Sequence, residues 1–250
     1  MKPTVLTSIS KPIKVKIDGC ALELSAQLKL EIEHFWKTIN VNGSFRRGEV
    51  FHVHSIDEHE DRFDFNLRSS DYAHYLHTVR SEYIGDEGCK VIYGAGLAET
   101  KDSFFVFGEM ADHTAYPGRL QCVGGGLDEE DMDGEFFDIE KNVLREMAEE
   151  LGIEDIESRC HSTIQFIKTG GMYDFIAVLF HIKLDLTLEE LQKNYESYCD
   201  ELIAKGEQPE FKNLVTLKNE SNAISEYLQS EQRDCVDYLF PFLEQFIRKA

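Results

Sequence analysis

The chain has 250 residues, enough for one large domain or two small ones with a real core. Its 26 Lys and Arg stand against 47 Asp and Glu, a formal charge of −21 that excludes unaided binding to nucleic acid or to an anionic membrane surface. With 42% hydrophobic and 11% aromatic residues the chain can pack a core, which excludes disorder as its resting state.

The opening MKPTVLTSISKPIKVKIDG holds no apolar h-region and no cleavage site, and the longest apolar run, 175–182, is too short to cross a bilayer. The six cysteines (Cys20, Cys89, Cys122, Cys160, Cys199, Cys235) are scattered, with no CxxC pair. They read as reduced thiols of a cytoplasmic protein, so the sequons at Asn42 and Asn219 carry no meaning. Residues 25–40 pattern as an amphipathic helix, 49–56 and 62–67 as strands, and 70–83 as a helix opened by a serine cap. This predicts a small α+β module over 1–87, ended by the turn residues IGDEG.

A second domain is expected over 88–250. Short apolar runs at 90–97, 104–110 and 119–123 lead through Gly124-Gly125-Gly126 and an acidic loop into a helix at 138–151. Strands follow at 160–168 and 173–185, then a helix at 187–205, a strand at 211–217 and a C-terminal helix from Ser221. Pro241 is expected to kink or restart that last helix, because it removes a backbone donor.

The helix at 138–151 carries the chemistry. At about 100° per residue, Leu144, Met147, Ala148 and Leu151 share the face that must be buried, while Glu146, Glu149 and Glu150 share the other. Like charges at these spacings weaken a helix by a few tenths of a kcal/mol per pair. A divalent cation favours them: Mg²⁺, or Mn²⁺, takes hard oxygen ligands and shares them with phosphates. Arg145, four residues before Glu149, can orient it. The competing reading is a solvated acidic face. The three glycines ahead of the helix tip the balance, since they let backbone approach a ligand closely.

The stretch Arg145-Glu146-Met147-Ala148-Glu149-Glu150-Leu151-Gly152-Ile153 resembles the second half of the Nudix box: Gly, five residues, Glu, seven residues, then Arg-Glu-apolar-x-Glu-Glu-x-Gly-apolar. All seven specified positions of that half match. With Gly126 and Glu135 as the counterparts in the first half, eight residues replace five and nine replace seven, so the box carries an insertion. The resemblance implies a Nudix-type α/β/α sandwich with a mixed sheet, in an α/β chain with the small N-terminal module added. It implies a Mg²⁺-dependent pyrophosphohydrolase acting on a nucleoside diphosphate derivative such as an NDP-sugar. Glu146 and Glu150 would be the main metal ligands, Glu149 a further one and Arg145 an orienting partner. A carbonyl among Val123 to Gly126 would complete the sphere, and Gly124, Gly125 and Gly126 would meet the substrate. A later carboxylate often serves as base or extra ligand: Glu207 and Glu210 are placed for it, with Glu189 and Glu190 as rivals.

Other readings stay open. A non-catalytic Nudix-fold nucleotide sensor is one, although it would not need all three glutamates. Glu129-x-Asp131-x-Asp133-Gly134 with Glu140 nearly matches a calcium loop, which would make the chain a calcium-responsive interaction protein. Glu at the first position and three glycines where a helix should stand count against it. His52-x-His54 would put two imidazoles on one strand face, but no third ligand accompanies them. Tyr116, Arg119 and Gln121, around Pro117-Gly118, are candidate substrate contacts. The aromatics Phe35, Trp36, Phe51, Phe63, Phe65, Tyr72 and Tyr75 read as core, a minority as a base-stacking or dimer surface. The stretch 64–83 resembles N-terminal extensions of Nudix proteins acting on UDP-sugars. The partner expected is a nucleotide-type small molecule, not nucleic acid or membrane, and a homo-oligomer is left open.

Overall fold

A strand buried on both faces organises the molecule. In the computed structural model, which describes residues 2–9, 11–43 and 45–247, the run Ile176–Leu184 alternates between two cores. Ile176, Val178, Phe180 and Ile182 enter one core, and Ala177 and Leu179 enter the other. An uninterrupted apolar run is what a strand with helices on both sides requires.

In chain order the elements are β1 (Lys2–Ser8), β2 (Ile13–Ala21), α1 (Ala26–Ile39), β3 (Glu49–Glu58), β4 (Phe63–Asp71), α2 (Tyr72–Arg80), β5 (Ile92–Glu99), β6 (Phe104–Met110) and β7 (Leu120–Gln121). After a 3-10 turn at Glu129–Asp131 come β8 (Met132–Asp133), β9 (Phe136–Phe137), α3 (Ile139–Leu151), α4 (Ile156–Arg159), β10 (Cys160–Gly171) and β11 (Ile176–Leu184). The chain closes with α5 (Leu188–Lys205), β12 (Phe211–Lys218), α6 (Ser221–Ser230) and α7 (Leu239–Ile247). The larger sheet runs β1-β10-β11-β5-β6-β12, with β7 on β6. It is mixed: β11 lies parallel to β5 and the other pairs are antiparallel. Helix α3 packs on one face of it, and α6 and α7 pack on the other, which is the expected α/β/α sandwich.

The smaller sheet runs β3-β4-β2-β9-β8 and carries α1 and α2. Among the described residues, two strand pairings and the His52–Val91 bridge cross the division expected at residue 87. Strand β1, from the start of the chain, adds to the edge of the larger sheet through β10. The β8–β9 hairpin, from inside the box insertion, adds to the smaller sheet through β2, and Phe137 stacks on Phe51 at 4.7 Å.

Two expected boundaries shift. The cap of α2 is Asp71, which accepts from the His74 N–H at 2.9 Å, and not Ser70. Ser70 stays in β4, and its hydroxyl meets His74 Nδ1 at 2.8 Å. The C-terminal helix does restart, but its break spans 231–238, and Pro241 falls in the first turn of α7. There its missing N–H costs no helical bond.

Candidate active site

Helix α3 starts where Asp138 accepts the N–H groups of Glu140 (2.9 Å) and Lys141 (3.0 Å). Its apolar residues Ile139, Val143, Met147 and Leu151 are buried, and they fix the rotation of the helix over β5. Leu144 and Ala148 are only half-buried. The three glutamates therefore sit at three depths. Glu150 is 2% exposed, the Glu146 side chain 12% and the Glu149 side chain 58%.

The glycine loop lies directly on these acids. Glu150 Oε2 accepts the N–H of Gly124 at 2.9 Å. A Cβ on Gly125 would stand 2.5 Å from the Glu146 carboxylate, and one on Gly124 would stand 2.2 Å from the Gly94 carbonyl oxygen. At Gly124, where the neighbour is backbone and φ is +144°, only glycine fits; at Gly125 the Glu146 carboxylate would have to move. Gly126 has open space around it and contributes its carbonyl, which accepts from Asn142 Nδ2 at 3.0 Å. The Val123 carbonyl accepts from the Gly96 N–H at 2.7 Å.

Of the later carboxylates, Glu210 reaches this cluster. Its backbone carbonyl accepts from Ala111 at 2.8 Å, and the next carbonyl, Phe211, accepts from the Tyr195 hydroxyl at 2.6 Å. Burial raises the Glu210 carboxyl above its ordinary value, with Glu149 adding to the rise and His113 opposing it. Burial raises Glu150 well above the usual carboxylate range, with Glu146 and Glu210 adding to it and the Gly124 N–H opposing. Burial pushes Glu146 up to about 7 despite Arg145, with Glu149 and Glu210 adding to the rise. Glu190 instead caps α5, accepting from Thr187 N and Oγ1 at 2.8 and 2.9 Å. Glu189 is exposed on the first turn of that helix. Glu207 is exposed in the loop before β12.

The donor set fits a hard divalent cation: it is all oxygen, and burial opposes its negative charge in a way a bound cation would offset. Among the described residues no three His, Cys, Asp or Glu side chains are already gathered around one point.

Arg145 ties the cluster to the insertion through a residue whose role the sequence reading missed. Asp131, fully buried, accepts from Arg145 Nε (2.9 Å) and Nη2 (3.1 Å), from Asn142 Nδ2 (2.9 Å) and from the Asp128 N–H (2.8 Å). Burial opposes ionisation there, but these donors hold its carboxyl below its ordinary value. The same guanidinium reaches Glu146 at 2.9 Å and Glu149 at 3.0 Å, as expected for Glu149. These contacts correct the register of the first half of the box. Five residues separate Gly125 from Asp131, the spacing of the pattern, with Asp in place of Glu. The insertion is then 132–137, the β8–β9 hairpin, after which seven residues precede Arg145. Glu135, taken as the counterpart, is exposed beside the hairpin turn at Gly134.

The calcium-loop reading fails on the same ground. Asp131 is turned inward onto Arg145, 132–137 is a hairpin, and Glu140 accepts from the Ser162 hydroxyl. The acidic insertion is thus not merely an exposed loop. His52 is buried, with Nδ1 accepting the Lys90 N–H at 3.0 Å, while His54 is exposed. Arg119 lays its guanidinium over the Tyr116 ring (3.4 Å to the centroid) and donates to Gln121 Oε1 at 2.6 Å. Among the described residues no helix is long and apolar enough to cross a membrane.

No family model and no curated protein matches the chain. Solved structures do align with it. A MutT protein from Methanosarcina mazei is 13% identical, with a TM-score of 0.42, over 64% of this chain and 94% of that one. The NUDIX domain of Shewanella oneidensis NrtR, solved with ADP ribose, is 11% identical, with a TM-score of 0.40, over 64% and 88%. A NUDIX-family hydrolase from Clostridium perfringens is 11% identical, with a TM-score of 0.35, over 64% and 97%. In structure, as in the segment from Arg145 to Ile153, the chain resembles Nudix proteins.

Proposed function

We propose that this chain is a divalent-metal-dependent hydrolase that cleaves the diphosphate linkage of a nucleoside diphosphate derivative. The observation that carries the reading is the seating of Gly124 and Gly125 on Glu150 and Glu146, with Arg145 bridging Glu146, Glu149 and Asp131. Glu146, Glu149, Glu150 and Glu210 are the residues that would hold Mg²⁺ or Mn²⁺, and the bound cation would neutralise the diphosphate and polarise the attacked phosphorus. At −21 a chain has little else to offer a polyanion.

Arg145 keeps two glutamates apart from each other and aimed at the cleft, which removes the reorganisation their repulsion would demand. Gly124 and Gly125 leave room for phosphate oxygens against the backbone. Glu210, its carboxyl raised by burial, would take the proton of the attacking water. Water oxygen then bonds to phosphorus as the bridging P–O bond breaks, leaving two phosphate-ended products. The test is a panel of NDP-sugars, dinucleoside polyphosphates and nucleoside triphosphates with Mg²⁺. Wild type should cleave at least one, and Glu150→Gln should lose about a hundredfold or more, the loss of several kcal/mol of charge stabilisation. Turnover unchanged in Glu150→Gln, or turnover of no panel member, overturns the proposal.

A further inference from the structure

One uncharged residue of α3 ties the glycine loop both to the larger sheet and to the insertion. Asn142 lies one turn before Arg145 and Glu146, on the same face of the helix. It is fully enclosed, at 0% exposure. Its Oδ1 accepts the N–H of Gly94 in β5 at 3.0 Å. Its Nδ2 donates to the Gly126 carbonyl at 3.0 Å and to Asp131 Oδ2 at 2.9 Å. An amide nitrogen carries two hydrogens, and here each has its acceptor.

The glycine loop is therefore held at both ends. The Val123 carbonyl takes the Gly96 N–H at 2.7 Å and the Gly126 carbonyl takes Asn142. Between these anchors, Gly124 and Gly125 lie against Glu150 and Glu146. Arg145 reaches the same two acceptors, Asp131 Oδ2 at 3.1 Å and the Gly126 carbonyl at 3.4 Å, but its charge is also shared with Glu146 and Glu149. The amide adds fixed donors without adding charge. Aspartate at 142 would keep the acceptor for Gly94, yet it would bring no donor and would set a second carboxylate against Asp131. Glutamine would need room for one more methylene in an enclosed site. A loop left loose here would have to be ordered by the cation itself, and that ordering opposes binding.

We propose that Asn142 is a positioning residue: it sets the glycine loop against Glu146 and Glu150, so that a divalent cation meets oxygen ligands already in place. The inference rests on the hydrolase reading for the cation, but its readout is binding and not turnover. Mn²⁺ affinity is measured without substrate, from the EPR signal of free Mn²⁺, at a temperature where near-ultraviolet circular dichroism shows each variant folded. Asn142→Asp should bind Mn²⁺ about tenfold to a hundredfold more weakly than wild type. By Coulomb attraction alone the added carboxylate would do the opposite and tighten binding. Asn142→Ser, too short to span Gly94, Gly126 and Asp131, should lose as much, and it carries the test if Asn142→Asp does not fold. Phe242→Leu, in α7 on the far face of the larger sheet, controls for lost stability and should keep wild-type affinity. Wild-type affinity in both Asn142 variants, tighter binding in Asn142→Asp, or an equal loss in Phe242→Leu overturns the positioning role. Weakened Mn²⁺ binding in the Asn142 variants, with no panel substrate cleaved by wild type, upholds the role and sinks only the hydrolase. Cleavage by wild type with Mn²⁺ affinity untouched in the Asn142 variants sinks only the positioning role. Absence of Mn²⁺ binding by wild type sinks both.

Discussion

At the scale of single residues, Asp131 shows how a buried charge is made tolerable. Its carboxylate is wholly enclosed, yet four N–H donors converge on it, and Arg145 transmits its position to Glu146 and Glu149. Asp131→Asn leaves Arg145, itself mostly buried, without the anion to which it makes two hydrogen bonds. Breaking such a pair should lower stability by about 3 kcal/mol, read from urea unfolding, and reduce hydrolysis as well; a change below about 0.5 kcal/mol would refute this. Gly125→Ala separates the two effects. The added methyl meets only the end of the Glu146 side chain, so melting should change little while activity falls at least about tenfold. Arg145, Glu146, Glu149 and Glu150 were legible in the sequence because they share one helix. Asp131 was not, because its partner lies 14 residues on and the hairpin between them hides the spacing.

His52 gives the residue scale a pH dependence. Burial, reinforced by His74 and His54, lowers its pKa from 6.5 to about 4. The depressed value means the folded state resists protonation. The stability it contributes is complete above pH 6.5 and is lost as pH falls from there toward about 4, up to about 3 kcal/mol. His52→Gln should flatten that part of the stability–pH curve relative to wild type. Parallel curves would show that His52 does not titrate as its burial implies.

At the scale of elements, capping residues and apolar periodicity made the helices readable. Ser25, Asp138 and Thr187 each cap the helix expected after them. The strands β10, β11 and β12 were readable as apolar runs. Strands β1, β2, β8 and β9 were not. Their partners are remote in sequence, and their exposed faces carry lysines and acids that break the apolar alternation. The hairpin is the element that most changes the account: it docks on β2, and Phe137 packs on Phe51. Phe137→Ala should cost about 3 kcal/mol by leaving a cavity between the modules. Because Asp131 and Asp138 flank the hairpin, it should also lower activity at temperatures where the protein stays folded. Wild-type activity and melting in this variant would mean the hairpin is incidental.

At the scale of the whole molecule, the chain is read as two modules yet folds as interlocked sheets. Strand β1 completes the edge of the larger sheet, β9 joins the smaller, and Tyr75 of α2 stacks on Phe175. A fragment of residues 88–250 would expose the apolar side of Phe137 and leave Tyr116 and Phe175 without α2. It should fail to give a cooperative thermal transition, and a folded fragment with full activity would contradict this. The charge of −21 takes its meaning at this scale. Most of the acids are solvated, but Asp131 fixes Arg145, which in turn holds Glu146 and Glu149 on the helix that buries Glu150.

The central claim is that these carboxylates cleave a diphosphate with a divalent cation. The most direct measurement is ³¹P NMR of an NDP-sugar incubated with the protein in ¹⁸O-enriched water, with Mg²⁺ and then with EDTA. The account predicts two monophosphate signals, one of them shifted by ¹⁸O. Both should vanish with EDTA, and with Glu150→Gln the rate should fall about a hundredfold or more. A diphosphate resonance that persists with Mg²⁺, or cleavage indifferent to EDTA and to Glu150→Gln, would contradict it.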